Sequence, residues 1–557
     1  MFVLKKAVAD EDHLITFTLP ISEPLPPQYF IRVVSDRWLG CESSLPVSFR
    51  RLILPAKYPP PTELLDLAPL PVTALRDAAA QAALYPRLTA FNPVQTQCFA
   101  ALHSSDDNVL VAAPAGSGKT LCAELAILRM AAVAAGGGDA APPARCVYVA
   151  PREDLVAARL ADWAPRFGAL GLSVARLVGD GPADAKTLER SNVVLATPEH
   201  WDALSRRWRQ RRAVQAVSLY VFDELHLVGG TGGPVLEVVA SRARYVGSVA
   251  PRAPRIVALA ASLANAGDVG DWLGVRPACL FNFPPSVRPV PLEVHVQGFE
   301  VADLEARMAA MARPAYGAIA AHAPGAAPAI VFVPTRRHAR RVALDLLAFA
   351  AADGRPAAFL HADRATLAPY LERVKDAALR HALEHGVAFV HEAQAEDERA
   401  VAQTLFDSGA VQVGLSLLGG VRRRGCWRVG WGGLVSLKTA YQEFLDCYLN
   451  LVPESRAGER LSQVHSPTRP HSILFPHPPP PHHTHTHAHT NRSHQPLQIL
   501  VATAATAWGL TSVARLVVIQ GTQAYDASGQ GARDYAVTDL LQMLGRASRP
   551  GIDASGM

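Results

Sequence analysis

The chain has 557 residues, 49% of them hydrophobic, enough for about three or four domains with ample cores. Its formal net charge of +5 permits a nucleic-acid partner without demanding one. The 7 cysteines lack the C-x-x-C pairs of a zinc site and fit reduced thiols rather than a disulfide framework; no apolar leader or membrane-length apolar run occurs, so the expectation is a soluble intracellular protein with no membrane partner.

Residues 1–50 alternate apolar and polar side chains, as in His13–Leu19 and Tyr29–Val34, and read as the last strands of a β-domain, the remnant of a β-sandwich. Residues 51–90 include KYPPPTELLDLAPLP and read as an extended linker, because proline stops both regular helix and central strand. Over residues 91–290, apolar strands (Asn108–Ala113, Cys146–Ala150, Asn192–Ala196, Val217–Phe222, Arg255–Ala260) alternate with amphipathic helical patterns. Residues 291–557 repeat the alternation at Ala329–Val333, Gly386–Val390, Ile499–Ala502 and Arg515–Ile519. The predicted fold class is therefore α/β, two parallel sheets covered by helices with a cleft between them.

The densest chemistry lies in the first α/β series. Ala113, Pro114, Ala115, Gly116, Ser117, Gly118, Lys119 and Thr120 form a glycine-rich turn between a strand and a helix. Such a turn offers successive backbone N–H groups, an ammonium and a hydroxyl to one point, which suits the phosphates of ATP and their Mg²⁺. About a hundred residues on, YVFDELH places Asp223 and Glu224 at a strand's carboxyl end, where ligands of parallel sheets collect. Asp223, with Thr120, can hold Mg²⁺, and Glu224 can orient and deprotonate an attacking water.

One stretch breaks the pattern. Residues 413–498 hold arginine and glycine patches and then HPPPPHHTHTHAHT, which cannot bury a core. His-Thr alternation is what a CA dinucleotide repeat encodes, and joining Gln412 to Ile499 restores a continuous SGAVQILVATAATAWG. The segment reads as translated unspliced sequence. A genuine disordered insertion and a histidine-rich metal tract are the alternatives, the latter lacking fixed ligand geometry.

Taken in order, NPVQ at Asn92–Gln95, APAGSGKT, APRED at Ala150–Asp154, ATPE at Ala196–Glu199, DELH, ALAASLAN at Ala258–Asn265, VFVPTRR at Val331–Arg337, ATAATAWG at Ala502–Gly509 and QMLGRASR at Gln542–Arg549 resemble the motif series of superfamily 2 DExH RNA helicases. The likeness is greatest to the second cassette of the large two-cassette spliceosomal helicases of the U5 small nuclear ribonucleoprotein. It implies two RecA-like P-loop lobes, ATP and Mg²⁺ as cofactors, a single-stranded RNA or overhang duplex and splicing proteins as partners, and a nuclear location. It further implies that Gln95 reads adenine, that Lys119, Asp223, Glu224, Gln542, Arg546 and Arg549 carry hydrolysis, and that Pro151, Arg152, Thr197, Thr335 and Thr503 grip RNA phosphates. The plainer alternatives are a backbone-satisfied loop glutamine, a solvated helix face for the two arginines, and ordinary helix capping for the threonines.

Departures from the family pattern are also visible. The third motif has Ala260, Ala261 and Ser262 where Ser-Ala-Thr is usual, Thr511 replaces an asparagine, and His391-Glu392 replaces a histidine pair. The winged-helix and ratchet domains that follow the second lobe in the family have no counterpart in this sequence. The resemblance therefore supports two expectations: an ATP-hydrolysing RNA motor segment, or a weakly active cassette that docks splicing factors.

Overall fold

In the computed structural model, residues 28–35, 38–49, 58–86, 88–136, 144–230, 232–250, 252–362, 364–408, 497–526, 531–547, 553 and 555–557 are described. Two units divide at Tyr58. The first is a hairpin of β1 (Tyr29–Val34) and β2 (Glu42–Val47), antiparallel with Tyr29 opposite Val47, and nearly all its side chains are exposed.

The second unit holds two parallel sheets. The first has seven strands: β3 (Val109–Ala112), β4 (Cys146–Val149), β5 (Val174–Arg176), β6 (Val193–Ala196), β7 (Leu219–Phe222), β8 (Arg255–Ala260) and β9 (Leu280–Asn282), in the order β5-β6-β4-β7-β8-β3-β9. The central strands are buried at every position and, apart from Arg255 at the start of β8, lack charged side chains, as helices on each side require. The second sheet has four, β10 (Ala329–Val333), β11 (Val387–Val390), β12 (Ile499–Thr503) and β13 (Leu516–Ile519), in the order β11-β12-β10-β13. Each sheet carries its own buried cluster. The α/β expectation with two parallel sheets holds, and the strand order places β3 and β7 close enough for the turns after them to meet.

Two differences from the sequence reading have physical causes. The stretch from residue 51 to 90 is not extended throughout: α1 (Ala78–Leu84) starts where Asp77 accepts the N–H groups of Ala79 and Ala80, and Leu75, Ala80 and Leu84 enter the first core. Proline governs residues 59–71 but not the alanine-rich run after it. At the other end, Leu497 and Gln498 do not belong with a coreless insertion. Leu497 is fully buried, and Gln498 donates Nε2 to Ala323 O at 2.7 Å while its backbone N–H reaches Phe359 O and Gly386 O. The rest of the segment lies outside the described residues.

Candidate nucleotide and RNA site

The turn after β3 wraps as its glycines dictate. Gly116 and Gly118 have φ of 83° and 82°, which a side chain would strain. Lys119 opens α3 (Lys119–Gly136), and its Nζ donates to Ala113 O at 2.7 Å and Pro114 O at 3.2 Å. The Ser117 hydroxyl is buried without a hydrogen-bond partner. An orphan hydroxyl, an ammonium parked on loop carbonyls and the backbone N–H groups of a helix start suit a polyphosphate, so the residues fit ATP with Mg²⁺.

Gln95 lies beside this turn in α2 (Pro93–His103). It closes a capping box with Asn92, its Oε1 accepting the Asn92 N–H at 3.0 Å, while Nε2 donates to Gly118 O at 3.1 Å. Its amide is thus engaged with backbone on both sides. An open cavity of about 760 Å³ adjoins it, lined by Tyr85, Pro86, Leu88, Gln95, Gly118 and Thr120.

Asp223 and Glu224 follow β7. Asp223 is buried; its Oδ1 accepts the Glu224 N–H at 2.9 Å and its Oδ2 accepts the hydroxyl of Tyr148, a residue of β4 that the motif reading passed over. Burial, with the Glu224 charge, pushes the Asp223 carboxyl upward, opposed by Tyr148, Arg159 and Lys119. Glu224 has φ of 50°, a left-handed backbone uncommon outside glycine and often found where function demands it. Its Oε1 accepts from Gln542 Nε2 at 2.9 Å, a contact between the two sheets' domains.

His226 links this corner to the altered third motif. Its Nδ1 accepts the Ala261 backbone N–H at 3.1 Å, and burial pushes the ring's pKa down to about 4. A neutral ring accepting through Nδ1 makes its 3.5 Å approach to Glu224 Oε2 a contact rather than an ion pair. The helix Val537–Gly545 brings Arg546, whose Nη2 donates to Ala507 O at 2.9 Å and whose Nε is buried and unpartnered; burial pushes its pKa down to about 10. Arg549 lies outside the described residues.

The residues assigned to RNA divide. Thr197 and Thr335 cap the helices Pro198–Ser205 and Arg336–Ala352 with their hydroxyls, leaving helix-start N–H groups beside them. Thr503 is 1% exposed, and its hydroxyl donates to Glu392 Oε2 at 2.9 Å. Pro151 is half-buried, and Arg152 stacks 5.7 Å over the Trp508 ring and approaches Asp154 at 3.7 Å. Trp508 was also missed as a site residue. It comes from the second domain yet packs in the first domain's buried cluster.

The comparisons with known proteins bear on this geometry. The DEAD/DEAH box helicase family model matches residues 92–269, the span that contains the phosphate turn, Asp223 and Glu224. The chain carries a DEAD/DEAH box helicase domain. The Sec63 Brl domain model matches residues 1–48, around the hairpin. The chain is 45% identical to the DExH-box ATP-dependent RNA helicase DExH12 of Arabidopsis thaliana, over 100% of this chain and 21% of that protein. It is 43% identical to the U5 small nuclear ribonucleoprotein 200 kDa helicase of Homo sapiens, over 100% of this chain and 22% of that protein. With the activating signal cointegrator 1 complex subunit 3 of Homo sapiens the identity is 38%, over 99% of this chain and 21% of the relative. The chain spans about a fifth of the length of these relatives. The helicase resemblance read from the motifs thus extends over the whole chain. Among the described residues, no helix is long and apolar enough to cross a membrane.

Proposed function

We propose that this helicase chain is an ATP-hydrolysing motor segment whose turnover responds to single-stranded RNA, working in pre-mRNA splicing in the nucleus. The observation that carries the reading is the Gln542–Glu224 contact, which sets a second-domain residue on the candidate general base. Its lobes are taken as residues 91–290 and 291–557, after a β-domain remnant at 1–50 and a linker segment at 51–90.

In this reading, Lys119 leaves the Ala113 and Pro114 carbonyls for β- and γ-phosphate oxygens, and the buried Ser117 hydroxyl and loop N–H groups hold the same phosphates. Asp223 and Thr120 would hold Mg²⁺, which would neutralise phosphate charge when bound. Glu224, oriented by Gln542, takes a proton from the attacking water. Arg546 and Arg549 face charge developing on the γ-phosphoryl group, a role worth roughly 10³–10⁵ in rate. RNA phosphates meet the N–H groups at the starts of the helices capped by Thr197 and Thr335, and Pro151 and Arg152 beside them.

The test is ATP turnover by the purified chain with and without single-stranded RNA, beside Glu224→Gln. RNA-stimulated turnover that disappears in the variant supports the motor. The Ala260-Ala261-Ser262 departure favours the second reading, a nucleotide-binding platform for splicing factors, which binds ATP with no turnover in either condition.

A further inference from the structure

We infer that Tyr148 is a positioning residue that holds Asp223 in the orientation its divalent cation needs, with Arg159 supporting it through the Trp163 ring, an inference that rests on the nucleotide reading of this site. Tyr148 occupies β4, the strand hydrogen-bonded to β7, and pairs in register with Val221. From there its hydroxyl crosses to Oδ2 of Asp223, just beyond the end of β7. The other carboxylate oxygen accepts the Glu224 N–H, so both oxygens are oriented while each keeps a lone pair for a cation or its waters.

The phenol is itself fixed. The Trp163 ring meets it edge-on at 5.0 Å, and Trp163 Nε1 donates to Glu124 Oε1 at 2.9 Å. Glu124 is buried, pairs with Arg166 at 3.0 Å, and sits on α3, the helix that begins with Lys119 and Thr120. Arg159, from α4 (Glu153–Gly168), lies 5.8 Å over Trp163 and 3.8 Å from Asp162, and its charge favours the ionised Asp223 carboxylate. Contacts therefore run without a break from the phosphate-loop helix through two aromatic rings to Asp223. Phenylalanine would fill the same fully buried volume; the hydroxyl has the carboxylate as its acceptor. Partners of this kind fix metal ligands, and their loss weakens metal affinity roughly 10–100-fold.

The experiment uses the full chain and mant-ADP, with fluorescence read against Mg²⁺ concentration and in EDTA. Tyr148→Phe is expected to bind mant-ADP in EDTA like the wild type but to need about 10-fold more Mg²⁺ for the metal-dependent gain in affinity. Arg159→Leu is expected to shift the Mg²⁺ midpoint in the same direction and Arg159→Lys to restore it, which a packing role would not produce. An unchanged midpoint in Tyr148→Phe and Arg159→Leu overturns the inference. So does equal loss of affinity in EDTA, which would make the pair a prop for the domain as a whole. A wild type blind to mant-ADP in both conditions overturns the nucleotide reading and this one with it.

Discussion

His226 explains how the altered third motif can still be coupled to the hydrolysis corner. The contact from DELH to the third motif goes to the Ala261 backbone N–H, so it does not use the hydroxyl that is missing at Ala260. Ala260→Ser is therefore expected to change RNA-stimulated turnover by less than about twofold, a difference under 0.5 kcal/mol in barrier height. His226→Ala orphans a part-buried N–H, which should cost about 1–3 kcal/mol in urea unfolding. The pH dependence has a definite sign. The folded pKa of about 4 lies below the ordinary 6.5, so this contribution is fully present above about pH 6.5 and fades as pH falls through 4. A urea midpoint that falls equally with acid in wild type and His226→Ala would assign the acid loss to other groups.

At the level of single elements, much of what was legible followed from strong local signals. Strands β3, β4, β6, β7 and β8 were readable because a sheet covered on both faces needs runs such as Val109–Ala112 with no polar interruption. The phosphate turn was readable because few sequences place glycines, lysine and threonine in that order. Tyr148 was not, since an apolar strand with one tyrosine looks like packing until β7 is set beside it. The bond from Thr503 to Glu392 was not legible either, because the two are 111 residues apart in the chain. The entry to β11 carries a sharper constraint than its pattern reveals: Gly386 has φ of 87°, and a Cβ there would stand 1.9 Å from Phe359 O. Gly354 has φ of 72° with nothing within 4 Å. Gly354→Ala should thus cost only the conformational strain of about 1–2 kcal/mol. Gly386→Ala should lower the melting temperature clearly further, because backbone must also shift.

The same corner bears on residues 413–498. Gln498 enters β12 with its side chain on Ala323 O and His361. If the segment is removed, Val411-Gln412 precede Ile499 and place a glutamine at the same step, with valine for Leu497. The deleted chain is expected to stay soluble with a melting temperature at or above that of the full chain, and transcripts lacking the segment should be found. A deleted chain that cannot fold, or transcripts that always retain it, would make the segment part of the working protein.

At the scale of the whole molecule, the proposed hydrolysis by residues from both sheets' domains requires the domains to meet, and a few side chains set that meeting. Gly545 lets the helix Val537–Gly545 approach the phosphate turn, where an added Cβ would stand 2.8 Å from that of Ala115. Arg288 donates to the carbonyls of Gly545 and Ala547 at 3.1 Å, and burial lowers its pKa to about 10, still fully charged at neutral pH. Trp508 does most to join hydrophobic surface: it is 3% exposed, lies in the first domain's cluster under Arg152, and donates to Asp539 at 2.7 Å within its own domain. Burying such a ring is worth roughly 3–5 kcal/mol against alanine, comparable with the whole bias of a two-state closure. Trp508→Ala should therefore broaden the inter-domain distance distribution seen by single-molecule fluorescence transfer, and Mg²⁺-ATP should narrow it again by adding phosphate contacts from both sides. Trp508→Phe, which keeps the apolar area but not the Asp539 bond, should lie between the two. A distribution unchanged in Trp508→Ala would mean that Arg288 and the Gln542–Glu224 bond suffice to hold the domains together.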